Sequence, residues 1–478
     1  MEIFIIIFLI VVLGIGVVLF YAARLVYRHY FKNKIDMESQ KPKLTESLAF
    51  KAATIAFLTL LLLIPNAMIQ NLIQERQDRS RETIRIINDR WSRAQTLCAP
   101  LLLIPYTTTT LGRDNNPVSR EHTLFVTPRD LSINVILTPE VRNFGIYRAI
   151  LYRSNIHFKG KFSELSDLRV DNSILHFDRA QIVIGVSDLR GVAKNPDFRI
   201  GDKAFETTVG AVSLPNVSGR TLVVNLKDVC FANDLHFKCT MKLNGSGSIS
   251  FIPVGQNTTV TIDGQWASPS FIGSFSPESN IDNRQFGATW NILSFNREIP
   301  EMWTDNNVPN IGNTSFGVNL IETVDHYQQN MRSAKYALMF IALTFVVFFF
   351  VEIFTKKSIH FFQYLLVGIA LILFYSLLLS FSEQVGFGWA YLIASTATIS
   401  MIAIYFYSLI RQKLVAFILA GILTILYAFL YIILQIQDFA LLFGSVFLFV
   451  ILGVIMFVSN KIKLGKQVEM IDEKPADN

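Results

Sequence analysis

The chain has 478 residues, of which 51% are hydrophobic and 17% charged, with 40 phenylalanines. Soluble chains carry about 25% charged residues, so a wholly soluble protein is excluded. The net charge of +6 is no footprint for nucleic acid, because the long segment 71–334 holds 27 Lys and Arg against 26 Asp and Glu, and the excess sits in the first loop and the short connections.

Seven apolar segments, 3–22, 52–70, 336–354, 361–380, 387–409, 414–434 and 439–458, are each long enough for a helix to cross a hydrocarbon core, which takes roughly 20 residues. The first begins Met1-Glu2-Ile3-Phe4. It lacks the basic start and small-residue cleavage site of a secretory signal, and is expected to be a retained helix over 1–22. Arg24, Arg28, Lys32 and Lys34 follow in loop 23–51, and the positive-inside preference assigns that loop to the cytoplasm. The second span then leads out. Lys356 and Lys357, Arg411 and Lys413, and Lys461, Lys463 and Lys466 mark the later connections expected inside, whereas 381–386 and 435–438 carry Glu383 and Asp438 without any Lys or Arg. The expected order is span 52–70, an external domain over 71–334, a five-helix bundle over 335–458 and an internal tail over 459–478.

The external segment opens with a polar run to about Ala94 in which Leu72, Ile73, Ile84, Ile87 and Trp91 recur at helical spacing, predicting a helical stem. From Leu101 the texture is that of strands: Thr123 to Thr127, Ile133 to Leu137, Ile174 to Val186, Leu235 to Met241, Ser250 to Ile252 and Val260 to Ile262. Asn244-Gly245 reads as a tight turn. The expectation is a mostly antiparallel, β-rich domain of about 200 residues with one wet face. Phe316 to Arg332 is expected to turn helical and feed the third span.

Chemistry-bearing residues are sparse. Cys230 and Cys239 lie nine apart in the external segment, and an oxidising compartment would permit a bridge between them; Cys98 reads as a small buried hydrophobe. The pairs His157-Phe158, His176-Phe177 and His236-Phe237 fit strands with the imidazole on the wetter face, and no metal-ligand spacing accompanies them. No phosphate loop or serine-hydrolase elbow is present, and no cofactor is expected. In the bundle, Glu352 reads as a partner of Lys356 and Lys357 or as an interfacial group. Glu383, with Ser380 and Ser382 beside Gly386 and Gly388, forms a candidate polar site in which the carboxylate accepts from serine hydroxyls or from free amides of the next helix. Glu322, Asp325 and His326 are assigned to the junction between domain and membrane.

Longer blocks carry a resemblance. Leu62-Leu63-Ile64-Pro65-Asn66-Ala67-Met68-Ile69 with Leu72-Ile73-Gln74-Glu75-Arg76, Phe251-Ile252-Pro253-Val254-Gly255, Trp266-Ala267-Ser268-Pro269-Ser270-Phe271-Ile272-Gly273, the run Phe316 to Tyr327, and Gln363 to Gly368 with Leu379-Ser380-Phe381-Ser382-Glu383 together resemble the CreD family. These are bacterial inner-membrane proteins described as cell envelope integrity or colicin tolerance proteins. The similarity covers about 45–478, and segment 1–44 adds a span ahead of the common pattern. It implies a large periplasmic domain between one amino-terminal span and a carboxyl-terminal bundle, made under an envelope and carbon-source response and linked to resistance; it supplies no reaction, cofactor or substrate. The resulting expectation is a non-enzymatic protein of the bacterial inner membrane, in contact with the lipid bilayer, whose external domain engages a periplasmic or envelope partner and no nucleic acid. A transporter would require a polar cavity at mid-membrane. An anchored periplasmic enzyme would require convergent ionisable groups in a pocket.

Overall fold

The structure, a computed structural model, describes residues 48–111, 116–210, 212, 214, 220–227, 229–320, 325–355, 357–436 and 440–460. The chain divides into two compact units, one ending at Asp78 and resuming at Asp325, the other running from Arg79 to Val324.

The helices are α1 (Leu48–Leu61), α2 (Leu63–Trp91), α3 (His326–Lys335), α4 (Ala337–Thr355), α5 (Phe361–Val385), α6 (Phe387–Ile410), α7 (Lys413–Gln435) and α8 (Ala440–Asn460). Pro65 has no N–H to return to the carbonyl of Leu61, so α1 and α2 part at Leu62 while Leu62 N and Asn66 N still bond across the break at 3.0 and 3.2 Å. α3 is capped by Asp325, whose carboxylate accepts from the amides of Tyr327 and Gln328. Gly386, at φ +80°, ends α5 and starts α6, a conformation in which a side chain would be strained.

Among the described residues five helical stretches are long and apolar enough to cross a membrane: Lys51–Trp91, α4, α5, α6 and α7. Five of the seven expected spans are thereby such helices. The seventh, 439–458, contributes a shorter apolar helix, Leu442–Phe457, and the first, 3–22, lies outside the described residues. Packing within this unit is aromatic: Phe340 and Phe374 each meet the Tyr427 ring edge-on, at 4.5 and 4.8 Å. Such contacts add about 0.5–1.5 kcal/mol beyond area burial, and they matter where lipid removes any hydrophobic reason for helices to associate.

The other unit is built from β1 (Gln95–Leu111), β2 (Pro117–Val126), β3 (Asp130–Phe144), β4 (Tyr147–Phe162), β5 (Ser173–Leu175), β6 (Gln181–Val186), β7 (Asp197–Ile200), β8 (Lys203–Phe205), β9 (Thr207–Gly210), β10 (Thr221–Asn225), β11 (Leu235–Ser246), β12 (Ser248–Ile252), β13 (Asn257–Gly264), β14 (Pro269–Gly273), β15 (Glu278–Ile281), β16 (Phe286–Ile292), β17 (Met302–Thr304) and β18 (Phe316–Leu320). One sheet runs β14-β18-β12-β1-β6-β10-β9 with β2, β5 and β17 attached, and the other runs β15-β16-β13-β3-β4-β11-β7-β8. One cluster of buried side chains draws on both. Burial alternates strictly along β11, with Leu235, Phe237, Cys239 and Met241 inward and His236, Lys238, Thr240 and Lys242 outward, the period of a sheet with one wet face.

The sheets are mostly antiparallel, as expected, with two parallel pairings, β1 with β12 and β3 with β13. Two sequence expectations change here. The turn expected at Asn244-Gly245 falls inside β11, and the chain instead bends at Gly247, φ +68°, which directs it from one sheet into the other. Phe316 to Leu320 is a strand, with Phe316, Val318 and Leu320 buried. A Cβ on Gly317 would strike the carbonyl oxygen of Ile249 on the neighbouring strand, so the glycine permits that strand to lie close. The helix begins only at His326, after its Asp325 cap.

Candidate functional site

Among the described residues of the helical unit, two carboxylates withdrawn from solvent mark candidate sites, one toward each end of α5. Near its start, Glu352 of α4 is 5% exposed and accepts from Lys51 Nζ at 2.5 Å, from Tyr364 Oη at 2.9 Å and from the amide of Ile359 at 3.1 Å. Lys51 is 301 residues away in sequence. The local pairing with Lys356 and Lys357 expected from spacing is therefore replaced by a long-range one: Lys357 donates to the carbonyl of Ile410 at the end of α6, where a cation complements the helix dipole. An unpaired carboxylate in this environment would be costly, and three donors offset most of that cost.

Near the end of α5, Glu383 accepts from Tyr327 Oη at 3.1 Å and lies 4.0 Å from Arg76 Nη1 of α2. Its expected serine donors are occupied elsewhere. Ser380 Oγ donates to the carbonyl of Ser376 at 3.0 Å, and Ser382 Oγ to that of Leu379 at 2.8 Å while accepting from Asn330 Nδ2 at 2.7 Å. Asp325 also accepts from Gln77 Nε2 of α2 at 3.1 Å. The two sites share a composition, a glutamate bonded to a tyrosine and facing a cation of the amino-terminal helical stretch. Tyr364 and Glu383 are 19 residues apart on α5, about 28 Å at 1.5 Å per residue, which approximates the thickness of a bilayer's hydrocarbon core.

Sequence reasoning chose Glu383 but not its partners, and it missed Glu352 as a site, since neither Lys51 nor Arg76 is near its carboxylate in the chain. Of the junction residues, Asp325 and His326 come together with Tyr327 and Asn330 on the first turn of α3: the carbonyl of His326 accepts from Asn330 Nδ2 at 2.7 Å. Glu322 lies outside the described residues.

In the sheet unit, Asp188 fastens the end of α2. It accepts from Arg190 Nε and Nη2 at 2.9 and 2.7 Å and from the amide of Arg93 at 3.1 Å. The Arg190 guanidinium is the main reason its carboxyl is pushed down to about 2. Gln95 completes the joint, donating to Ser92 Oγ and to the carbonyls of Asp188 and Asn244. All three cysteines are free thiols. The expected Cys230–Cys239 bridge is absent because the alternation of β11 turns Cys239 inward, opposite Phe158 and Phe198, while Cys230 is exposed ahead of the strand. Burial pushes the Cys98 and Cys239 thiols up to about 12, well away from nucleophilic use. His157 and His236 face outward with Phe158 and Phe237 buried behind them, whereas His176 precedes a short 3-10 turn and bonds Thr107 at 2.8 Å. Among the described residues no group of three or more His, Cys, Asp or Glu is placed to hold a metal ion.

Residues 47–464 match the model of the family "Inner membrane protein CreD". The chain is 32% identical over 455 residues to the inner membrane protein CreD of Escherichia coli (strain K12), covering 90% of this chain and 99% of that protein. Among solved structures, an M1 zinc metallopeptidase from Deinococcus radiodurans (9% identity, 35% of this chain and 38% of that one, TM-score 0.17) and native yeast LTA4 hydrolase (8% identity, 46% and 35%, TM-score 0.18) are similar only at a level that carries no argument about fold or activity. With a helical unit that can span the bilayer several times, a large sheet unit and a family match over most of its length, the chain belongs to the CreD family of bacterial inner-membrane envelope proteins.

Proposed function

We propose that the protein is a non-catalytic envelope component whose sheet unit lies in the periplasm and engages a ligand or protein partner there, while the helices anchor it. In this reading seven spans cross the membrane: 1–22 is an additional span, 23–51 a cytoplasmic loop, 52–70 the common first span, 71–334 the periplasmic domain, 335–458 a five-helix bundle and 459–478 a cytoplasmic tail. The observation that carries it is electrostatic. Among the described residues of the sheet unit, the carboxylates that depart from their ordinary range, Asp89, Asp130, Glu140 and Asp188, are all held low, chiefly by Arg93, Asn257, Arg142 and Arg190 respectively. A general acid or base near neutrality needs its carboxyl raised; these groups are committed to ion pairs and amide contacts. Against transport, the groove of about 600 Å³ between α6 and α7 is lined by Tyr391, Ser395, Thr396, Thr424, Tyr427 and other uncharged residues, with no carboxylate or cation to carry a coupled ion.

The test uses exposed apolar positions of the sheet unit. Phe295, 95% exposed, and Ile174 and Val209 are replaced singly by a photo-crosslinking residue in living cells. A discrete adduct with an envelope component is expected from at least one. Three silent positions at normal protein abundance would remove the support for partner engagement.

A further inference from the structure

A cavity of about 490 Å³ lies within the sheet unit, lined by Arg85, Asn88, Asp89 and Arg93 of α2 and by Ser246 and Ser248 at the passage from β11 to β12. Its volume is in the range of small-ligand sites, roughly 300–1,000 Å³. Three sets of groups define its chemistry. Two guanidiniums border it. Asp89 is held low first by its bond to Arg93 at 2.5 Å and further by the charges of Arg85 and Arg190, but Arg190 is already committed to Asp188. Arg85 pairs with Glu82 at 3.2 Å on an exposed helix face, 71% and 54% exposed; such pairs are weak and readily exchanged for a better partner. On two of its lining residues an oxygen has no hydrogen-bond partner: the hydroxyl of Ser246, a residue 2% exposed, and the amide oxygen of Asn88. Buried polar groups of this kind are normally satisfied, and each left alone costs about 1–3 kcal/mol.

The two demands differ. Arginines select planar or tetrahedral oxyanions, whereas an amide oxygen requires a donor, such as a hydroxyl. We infer that this cavity binds a hydroxylated anion, a sugar that carries a carboxylate or a phosphate, with Arg85 on the anionic group, Arg93 held beside it by Asp89, and Asn88 and Ser246 on hydroxyls. The inference rests on the reading that the sheet unit faces the envelope and engages a ligand, and it names the chemical class. Gly247, with its left-handed backbone, forms the turn that holds Ser246 and Ser248 on one rim. The joint made by Asp188, Gln95 and Ser92 fixes the end of α2 on the other.

The experiment titrates the full-length protein in nanodiscs of uncharged lipid with glucuronic acid, glucose 6-phosphate, glucose and inorganic phosphate by calorimetry at low ionic strength. Both acidic sugars should bind saturably. Glucose lacks the anion and inorganic phosphate lacks the ring hydroxyls, so each should bind at least tenfold more weakly. Arg85→Gln, at an exposed position where folding is unaffected, should weaken the acidic sugars at least tenfold and leave glucose unchanged; Ser246→Ala should weaken all three sugars a few-fold. Raising salt should reduce the affinity of the acidic sugars alone. An acidic disaccharide that binds more tightly than the monosaccharide would indicate a glycan chain as the source, and equal binding a free sugar acid; both outcomes support the site. Saturable binding that Arg85→Gln does not change, or no binding of either acidic sugar to the wild-type protein, overturns it. That failure would stand apart from the crosslinking result at Phe295, Ile174 and Val209, which reports on any partner whatever its chemistry.

Discussion

Glu352 allows a quantitative test of how the amino-terminal helical stretch is held against the bundle. Replacing it by Leu leaves three donors without an acceptor: Lys51 Nζ, Tyr364 Oη and the Ile359 amide. Breaking a buried pair by removing one member costs about 3–5 kcal/mol. The Lys51 side chain is 23% exposed and can extend its ammonium toward the interface, so its share falls below that range, while the two neutral donors cost about 1–3 kcal/mol each. The expected loss for Glu352→Leu is about 4 kcal/mol. For Lys51→Met it is about 2 kcal/mol, since two donors still serve the carboxylate. The double variant removes both charges and leaves only the neutral donors unmet, so it should lose about 2–3 kcal/mol, less than Glu352→Leu alone. Unfolding in micelles of rising SDS content, followed by circular dichroism, gives the four values, and the coupling between the two sites should exceed about 2 kcal/mol. Losses that add to within about 0.5 kcal/mol, the behaviour of independent positions, would refute the reasoning.

Glu383→Gln keeps an acceptor for Tyr327 and gives up only a 4.0 Å attraction to a 41% exposed Arg76; abundance in the membrane and envelope phenotype should persist, whereas Glu383→Leu should lower folded protein by an amount matching about 1–3 kcal/mol. A Glu383→Gln protein that is inactive at wild-type abundance would reverse that assignment. Asp188 has a folded pKa of about 2 against an ordinary 3.8, so its stabilisation is complete above about pH 4 and lost as pH falls toward 2; the advantage of wild type over Asp188→Asn, about 1–2 kcal/mol at neutral pH with solvent screening allowed for, should vanish across that window in an acid titration, and a constant difference down to pH 2 would contradict it. For topology, a cysteine replacing exposed Gln384 in a chain without native cysteines should react with an impermeant reagent in intact cells and one replacing Ser358 should not, with the reverse pattern inverting the bundle. Gln384 is the suitable position because Ser382 is 1% exposed.

What could be read from the sequence follows the range over which each signal acts. Apolar runs and the period of two in Leu235 to Met241 are local consequences of lipid and of sheet burial, so spans and strands were visible from composition and spacing. The helical stem ends at Trp91, close to the expected Ala94, because its amphipathic spacing ends there too. Partners were another matter. The β1–β12 and β3–β13 pairings and the Lys51–Glu352 contact join residues more than a hundred positions apart, and nothing in a window of ten or twenty residues encodes them. Gly247 shows the same limit on a small scale: Asn244-Gly245 has the stronger turn signature, yet its pairing with Arg153 and Tyr152 on β4 holds it in extended backbone, and the chain only bends, at Gly247. Cys239 had a plausible bridge by spacing alone until strand phase determined which way it points.

The two parallel ladders also constrain the order of assembly. Gln95 must find Ile249, and Asp130 must find Asn257, separations of 154 and 127 residues in the chain. At roughly 5–20 residues per second of synthesis, one side of β1 and one side of β3 stay open for about 6–30 s after they emerge. Both are long and apolar on their inward faces, the combination most prone to pairing with the wrong neighbour. The last helices have not yet been made at that time. Export of the sheet unit therefore passes through an interval in which a half-built domain depends on prompt delivery of residues 249–264, so delays within that stretch should cause more misfolding than delays of equal length after Leu320.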